Sequence, residues 1–179
     1  VPCSFNFLRS NIYLNNISNL VDAHNIALGS RNGSIKFTST RDTINHVAIN
    51  NEKDLIEVQI DTLDSVIKEN NPCLIKIDVE GYESEVLKGA SKILKNPNLK
   101  ALIVELNGSG RRYGFDDNDI HQKLIISGFN PFKYDPFLRN LFTLDVPHNQ
   151  NIIYIRDLDF VTQRVKIARK IKINNFFEI

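Results

Sequence analysis

The chain has 179 residues, 42% of them hydrophobic, and a formal net charge of +1. That suits one domain with a sizeable core and gives no general attraction to nucleic acid or an anionic membrane surface. No apolar run is long enough to span a bilayer, and no signal peptide is visible. Cys3 and Cys73 lie far apart and match no metal-ligand spacing, so a reducing, cytoplasmic setting is expected. The chain has no methionine and starts abruptly at Val1-Pro2, which reads as a processed product or a fragment.

Ser4 is expected to cap a helix carrying Phe5, Leu8 and Ile12. Residues 20–28 read as extended and mostly apolar, closed by Gly29, and Arg31-Asn32-Gly33 is a turn signal. Residues 34–40 alternate, with Ile35 and Phe37 on one face, and predict a strand. The polar stretch 41–54 reads as a loop. Residues 55–60 alternate again and are expected to pair with 34–40. A short helix over 63–68 stops at Glu69-Asn70-Asn71-Pro72.

The run Leu74-Ile75-Lys76-Ile77 after Pro72 is too short for a helix and reads as a strand buried on both faces, with Cys73 buried at its entrance. It ends on Asp78 and Glu80, followed by Gly81. Val86, Leu87, Ala90, Ile93 and Leu94 then recur at helical spacing. The unit is therefore strand, acidic turn, helix. In an open parallel sheet ligands bind beyond the carboxyl ends of the strands, where Asp78 and Glu80 would sit. The plainer alternative is a helix-capping Asp with a first-turn Glu favoured by the helix dipole.

Asn96-Pro97-Asn98 breaks the chain. Residues 101–106 predict a second buried strand, with Glu105 at its end. Residues 107–119 form a long loop containing Gly108, Gly110 and Gly114, of a length often used for functional lids. A helix with Ile120, Leu124 and Ile125 is closed by Gly128. Strands are expected over 129–134, 141–144 and 151–155, and a helix over 160–173. The basic residues of that last segment, Arg164, Lys166, Arg169, Lys170 and Lys172, read as a solvated face. This order predicts an α/β fold whose sheet is mostly parallel, with antiparallel strands at one edge.

The run from Leu74 to Gly81, with Glu85-Val86-Leu87-Lys88-Gly89-Ala90, resembles the signature of the FkbM-type methyltransferases. The flanks Asn11-Ile12-Tyr13-Leu14-Asn15-Asn16, Asn25-Ile26-Ala27-Leu28-Gly29, Thr62-Leu63-Asp64, Ile103-Val104-Glu105 and Asn151-Ile152-Ile153-Tyr154-Ile155-Arg156-Asp157 extend the similarity over nearly the whole chain. The resemblance implies a class I, Rossmann-like fold with a seven-stranded, doubly wound sheet, and S-adenosylmethionine as cofactor. The implied reaction is O-methylation of a hydroxyl on a sugar or secondary metabolite. The family's glycine-rich first turn and the acid ending its second strand have no counterpart here. The chain thus reads as a single, partial methyltransferase domain lacking the first two strands.

Methyl transfer from a sulfonium needs positioning and electrostatics, and a hydroxyl nucleophile benefits from a base. Asp78 is the first candidate and Glu80 the second. Either acid can face the cationic end of the cofactor or take the hydroxyl proton. Asn25 and Ala27 match the place where the family's third strand meets the adenine. Glu105 is a candidate for holding substrate. His24, His46, His121 and His148 form no metal or triad spacing and read as surface or packing residues; only His121, beside the long loop, is kept as a candidate substrate contact. No resident metal and no nucleic-acid partner are expected, and the acceptor is a small-molecule or glycan hydroxyl. Two other readings stand beside this one: a metal-dependent sugar-nucleotide glycosyltransferase using Asp78 and Glu80, and a non-catalytic remnant domain.

Overall fold

A computed structural model describes residues 1–41, 44–145, 150–173 and 177–178. The first helix, α1, spans Pro2–Leu14 and starts one turn earlier than the Ser4 cap would place it. Val1 is its N-cap, and Pro2 enters the first turn, where a missing N–H costs nothing. Only Ile12 of α1 is buried. Of the expected extended stretch 20–28, only β1 (Ala27–Leu28) pairs as a strand. Strands β2 (Gly33–Thr38) and β3 (Leu55–Asp61) form the expected antiparallel pair, with Ile35 opposite Val58 and Phe37 opposite Ile56. β1 joins β3 in parallel, which completes a three-stranded sheet in the order β1-β3-β2. The loop behind β2 folds back on it: Phe37 bridges Val47, and the Ala48 amide donates to the Lys36 carbonyl at 2.9 Å.

Helix α2 (Leu63–Ile67) is capped by Thr62, whose hydroxyl accepts from the Ser65 amide. The next elements are β4 (Leu74–Ile77), α3 (Glu83–Lys88), β5 (Ala101–Leu106) and α4 (Asp117–Ile126). They are followed by β6 (Asn130–Asp135), β7 (Asn140–Thr143), β8 (Gln150–Ile155) and α5 (Leu158–Ile167). The five strands form a second sheet in the order β4-β5-β8-β6-β7. Last, β9 (Lys172–Ile173) pairs antiparallel with β10 (Phe177–Glu178).

These pairings correct the expectation of one mostly parallel sheet. Among the described residues the parallel pairs are β1 with β3 and β4 with β5; the others run antiparallel. The strands also divide between separate sheets, because β1 and β4 do not pair. β4 is consequently an edge strand, not one buried on both faces. Leu74 and Lys76 are exposed and Ile77 is buried. Cys73, expected to be buried, is exposed at the start of that edge.

The period-2 alternation of β5 builds the main core. Leu102, Val104 and Leu106 face Ile152 and Tyr154 of β8, Val86 and Leu87 of α3, and Ile120 and Leu124 of α4. On the opposite face Ala101, Phe132 and Ile155 meet Val161 of α5. α5 is capped by Asp157 and ends well before residue 173. The basic segment beyond it offers few apolar side chains to hold a helix against the sheet. Asp64 ties α2 to the segment after α3: its carboxylate accepts from the amides of Lys92 at 2.9 Å and Ile93 at 3.0 Å. Gly89 is required at this junction, since a Cβ there would collide with the Gly29 carbonyl oxygen. No helix among the described residues is long and apolar enough to cross a membrane.

Arg156, after β8, ties the far side together. Its guanidinium donates to the carbonyls of Leu94, Asn96 and Ser127 and lies 4.0 Å from the Phe129 ring centroid. Arg156→Ala leaves several carbonyls without donors and should cost about 3 kcal/mol in urea denaturation. Arg156→Lys should recover only part of this, because an ammonium cannot reproduce the planar fork.

Candidate functional site

β4 ends at Ile77, and the chain turns sharply through Asp78, Val79, Glu80 and Gly81 into α3. Glu80 has φ +52° and Gly81 φ +98°, both in the left-handed region, and the Tyr82 amide donates to the Val79 carbonyl at 3.3 Å. Only glycine fits at position 81. A Cβ there would lie 2.6 Å from the Ser109 carbonyl group and 2.8 Å from the Gly110 nitrogen. The acidic turn is therefore packed against the backbone of the loop following β5. Glu83 closes it from inside. Its side chain is buried, and its Oε1 accepts from the amides of Val79 at 3.3 Å and Gly81 at 3.2 Å. Burial pushes the Glu83 carboxyl pKa up, against the pull of those amides. The helix-capping role considered for Asp78 is not what the structure has: Tyr82 is the N-cap of α3 and makes no side-chain cap bond.

Asp78 instead forms an ion pair with Lys76, and its carboxylate faces that of Glu105 at the end of β5. One carboxylate oxygen from each of Asp78, Glu80 and Glu105 lies within 4.8 Å of the others. Lys76 holds the Asp78 carboxyl below the usual aspartate range. Burial and then the neighbouring Asp78 push Glu105 up. The pair therefore shares its charge unevenly, with Asp78 ionised and Glu105 the more readily protonated partner.

A cavity of about 280 Å³ adjoins this turn. Asp78, Val79, Glu80 and Tyr82 line one side; Ile26, Ala27, Leu28, Phe37, Asn45 and Val47 line the other. The ends of β1 and β4 thus meet at one cavity although they belong to different sheets. The long loop after β5 contains a 3-10 turn (Ser109–Tyr113) and reaches the cavity wall. The Tyr113 hydroxyl donates to the Val47 carbonyl at 2.7 Å, and its ring packs edge-on against Tyr82 at 5.3 Å. Burial pushes the Tyr113 hydroxyl pKa up to about 12, which keeps it a donor.

The structure brings Asp78, Glu80 and Ala27 to the cavity and Glu105 to Asp78. Asn25 is exposed and does not line the cavity. His121 does not line it either; its Nδ1 shares a hydrogen bond with the Tyr154 hydroxyl at 3.1 Å. His24 pairs with Asp22, and buried His46 lies between the Ile44 carbonyl and Glu52. His148 lies outside the described residues. Sequence reasoning missed Phe37, Asn45, Val47, Tyr82 and Tyr113, which reach the site through the fold. Among these only Tyr82 carried a signal, its place directly after Gly81.

Glu105 gives a test of this electrostatic arrangement. Its folded pKa lies above its unfolded value, so its contribution to stability is full below the unfolded pKa and is lost as pH rises through the folded one. Glu105→Gln, neutral throughout, should match the wild type in urea denaturation near about pH 4 and be the more stable of the two well above that, from the usual glutamate value.

A family model described as the methyltransferase FkbM domain matches residues 5–134. Among solved structures, the methyltransferase FkbM from Methylobacillus flagellatus KT is similar at a TM-score of 0.50 and 17% identity. The match covers 84% of this chain and 32% of that one, so the chain spans about a third of that relative's length. No curated protein sequence matches. The family match takes in α1, the β1-β3-β2 sheet, the acidic turn and β5 with its Glu105, and on that match the chain belongs to the FkbM methyltransferase domain family.

Proposed function

We propose that the protein of which this chain is part is an S-adenosylmethionine-dependent methyltransferase acting on a hydroxyl oxygen of a small molecule or glycan. The observation that carries this reading is the acid cluster of Asp78, Glu80 and Glu105 beside a cavity formed where β1 and β4 end. Family membership supports methyl transfer. The donor set fits the cofactor: carboxylates complement a cationic sulfonium, and the apolar wall of Ile26, Ala27 and Leu28 suits an adenine ring. When bound, S-adenosylmethionine supplies an electrophilic methyl group. Asp78, ionised through Lys76, takes the acceptor's hydroxyl proton on a carboxylate oxygen. Glu80 balances positive charge at the cavity rim. Glu105 holds the substrate side of the cluster, beside Asp78. Tyr113 and Tyr82 shield this side of the cavity from water. Asn25 and His121 are retained as contacts of the cofactor and the acceptor outside the cavity itself.

The cavity is at the small end for a cofactor-sized ligand. Among the described residues, β4 offers an unpaired edge on the side away from β5. Both features support a domain in which further strands lie between β1 and β4 and complete the cofactor site. The exposed, free thiols of Cys3 and Cys73 support a reducing, cytoplasmic setting.

A glycosyltransferase holding a divalent cation at Asp78 and Glu80 is the competing reading, favoured by the close carboxylate oxygens. The Lys76 ion pair, which already neutralises Asp78, and the family match weigh against it.

Calorimetry on the whole protein tests the main reading. S-adenosylhomocysteine should bind, and manganese should not be needed for it. Absence of binding by folded protein, or binding of a nucleoside diphosphate sugar only with manganese, would sink it. With an acceptor in hand, Asp78→Asn should lower turnover by about a hundredfold or more, while leaving cofactor affinity within a few fold. Unchanged turnover would remove Asp78 as the base.

A further inference from the structure

We propose that Glu83 is a positioning residue: its buried carboxylate clamps the turn carrying Asp78 and Glu80 and so sets where those acids stand beside the cavity. This rests on the reading of Asp78 as the acid–base group, but the clamp itself is a claim about geometry. A carboxylate is seldom buried without a charged partner. Glu83 is 4% exposed and forms no ion pair among the described residues. The amides of Val79 and Gly81 both donate to one of its oxygens, Oε1. Those amides flank Glu80, whose φ of +52° is unfavourable for a residue with a Cβ. Such a conformation persists only where its surroundings over-determine it. Three contacts do so here: the Glu83 oxygen from inside, the Ser109 and Gly110 backbone against Gly81, and the Tyr82 amide bond to Val79.

The clamp reaches Asp78 through one peptide unit, since the Val79 amide nitrogen it holds is bonded to the Asp78 carbonyl carbon. Asp78 is also held by its side chain, paired with Lys76 of β4, and faces Glu105 at the end of β5. A turn free to relax would carry the Asp78 side chain out of that setting. A helix of six residues has little cooperativity of its own to hold its first turn. Asp117 sits near enough to add negative charge, and its own carboxylate accepts from the Gly108 amide at 2.9 Å. Thus Glu83 and Asp117 fasten the loops after β4 and β5, which pack on each other.

A role limited to stability would lower the melting temperature of a variant and leave the ionisation of Asp78 alone. The experiment therefore follows the Asp78 carboxyl by carbon-13 NMR titration in the whole protein, with amide exchange at Val79 and Gly81. In the wild type both amides should exchange at least tenfold more slowly than amides of exposed turns. Glu83→Gln keeps an acceptor oxygen of the same reach and should leave the Asp78 midpoint where it is. Glu83→Ala should raise the midpoint toward the ordinary aspartate value and speed exchange at both amides. If Glu83→Ala does not fold, Glu83→Asp, too short to reach both amides, should raise the midpoint in the same direction. Fast exchange of the two amides in the wild type overturns the clamp. So does an Asp78 midpoint unmoved in the folded Ala or Asp variant, or one moved equally by Gln. None of these readings uses methyl transfer, so loss of the clamp and loss of the methyltransferase reading are separate results.

Discussion

The backbone of Gly81 lies against the backbone of Ser109 and Gly110 with no room for a single methyl group between them. That contact joins the turn after β4 to the loop after β5, and the rest of the site depends on it. It fixes how far apart two neighbouring parallel strands may end. It lets Glu105 reach Asp78, and it brings Tyr113 over Tyr82 to the Val47 carbonyl. Main chain packed on main chain is stiff, because neither side can change rotamer to relieve a clash.

Electrostatics then decide the state of the acids. Two unit charges 4.8 Å apart at an effective dielectric near 20 repel by roughly 3.5 kcal/mol, less where water screens them. Three ionised carboxylates at that spacing would strain the turn that carries two of them. The structure relieves this in two ways. Lys76 on the exposed face of β4 pairs with Asp78, and Glu105, partly desolvated, keeps its proton to higher pH. One acid is thereby left ionised beside a neighbour that takes up a proton more readily. This is the division of labour expected when two titrating groups are pushed apart by their surroundings.

The same pattern explains why β4 carries a lysine in a run that looks like a core strand. At an edge, position 76 faces solvent and its ammonium reaches the carboxylate two residues on. In sequence, Lys76 interrupts an apolar run and looks like a minor irregularity. In the fold it sets the charge of the candidate base. The main core is correspondingly one-sided. Leu102, Val104 and Leu106 of β5 and Ile152 and Tyr154 of β8 carry the heavy packing, with α3 and α4 on top.

Much of the local structure was legible in the residues because it is written in local chemistry. The β2–β3 pair follows from alternation on both strands, α2 from the Asn-Pro stop that ends it, and β5 from the apolar run of residues 101–104. The strand, acidic turn and helix around Asp78 were legible too, as was the family. Strand partnership was not. An apolar run such as Leu74-Ile75-Lys76-Ile77 has the same periodicity at a sheet edge as in its middle, since burial is decided by which distant segment lies alongside. The division into separate sheets, the antiparallel majority and the exposure of Cys73 therefore appeared only in the fold. The cavity wall of Phe37 and Val47 is likewise a product of long-range packing. Glu83 shows the difference in one residue. By sequence it is an ordinary first-turn acid of a helix, placed there by the helix dipole. Only the tertiary structure turns it inward onto the amides of Val79 and Gly81, because burying that carboxylate requires donors that no local pattern announces.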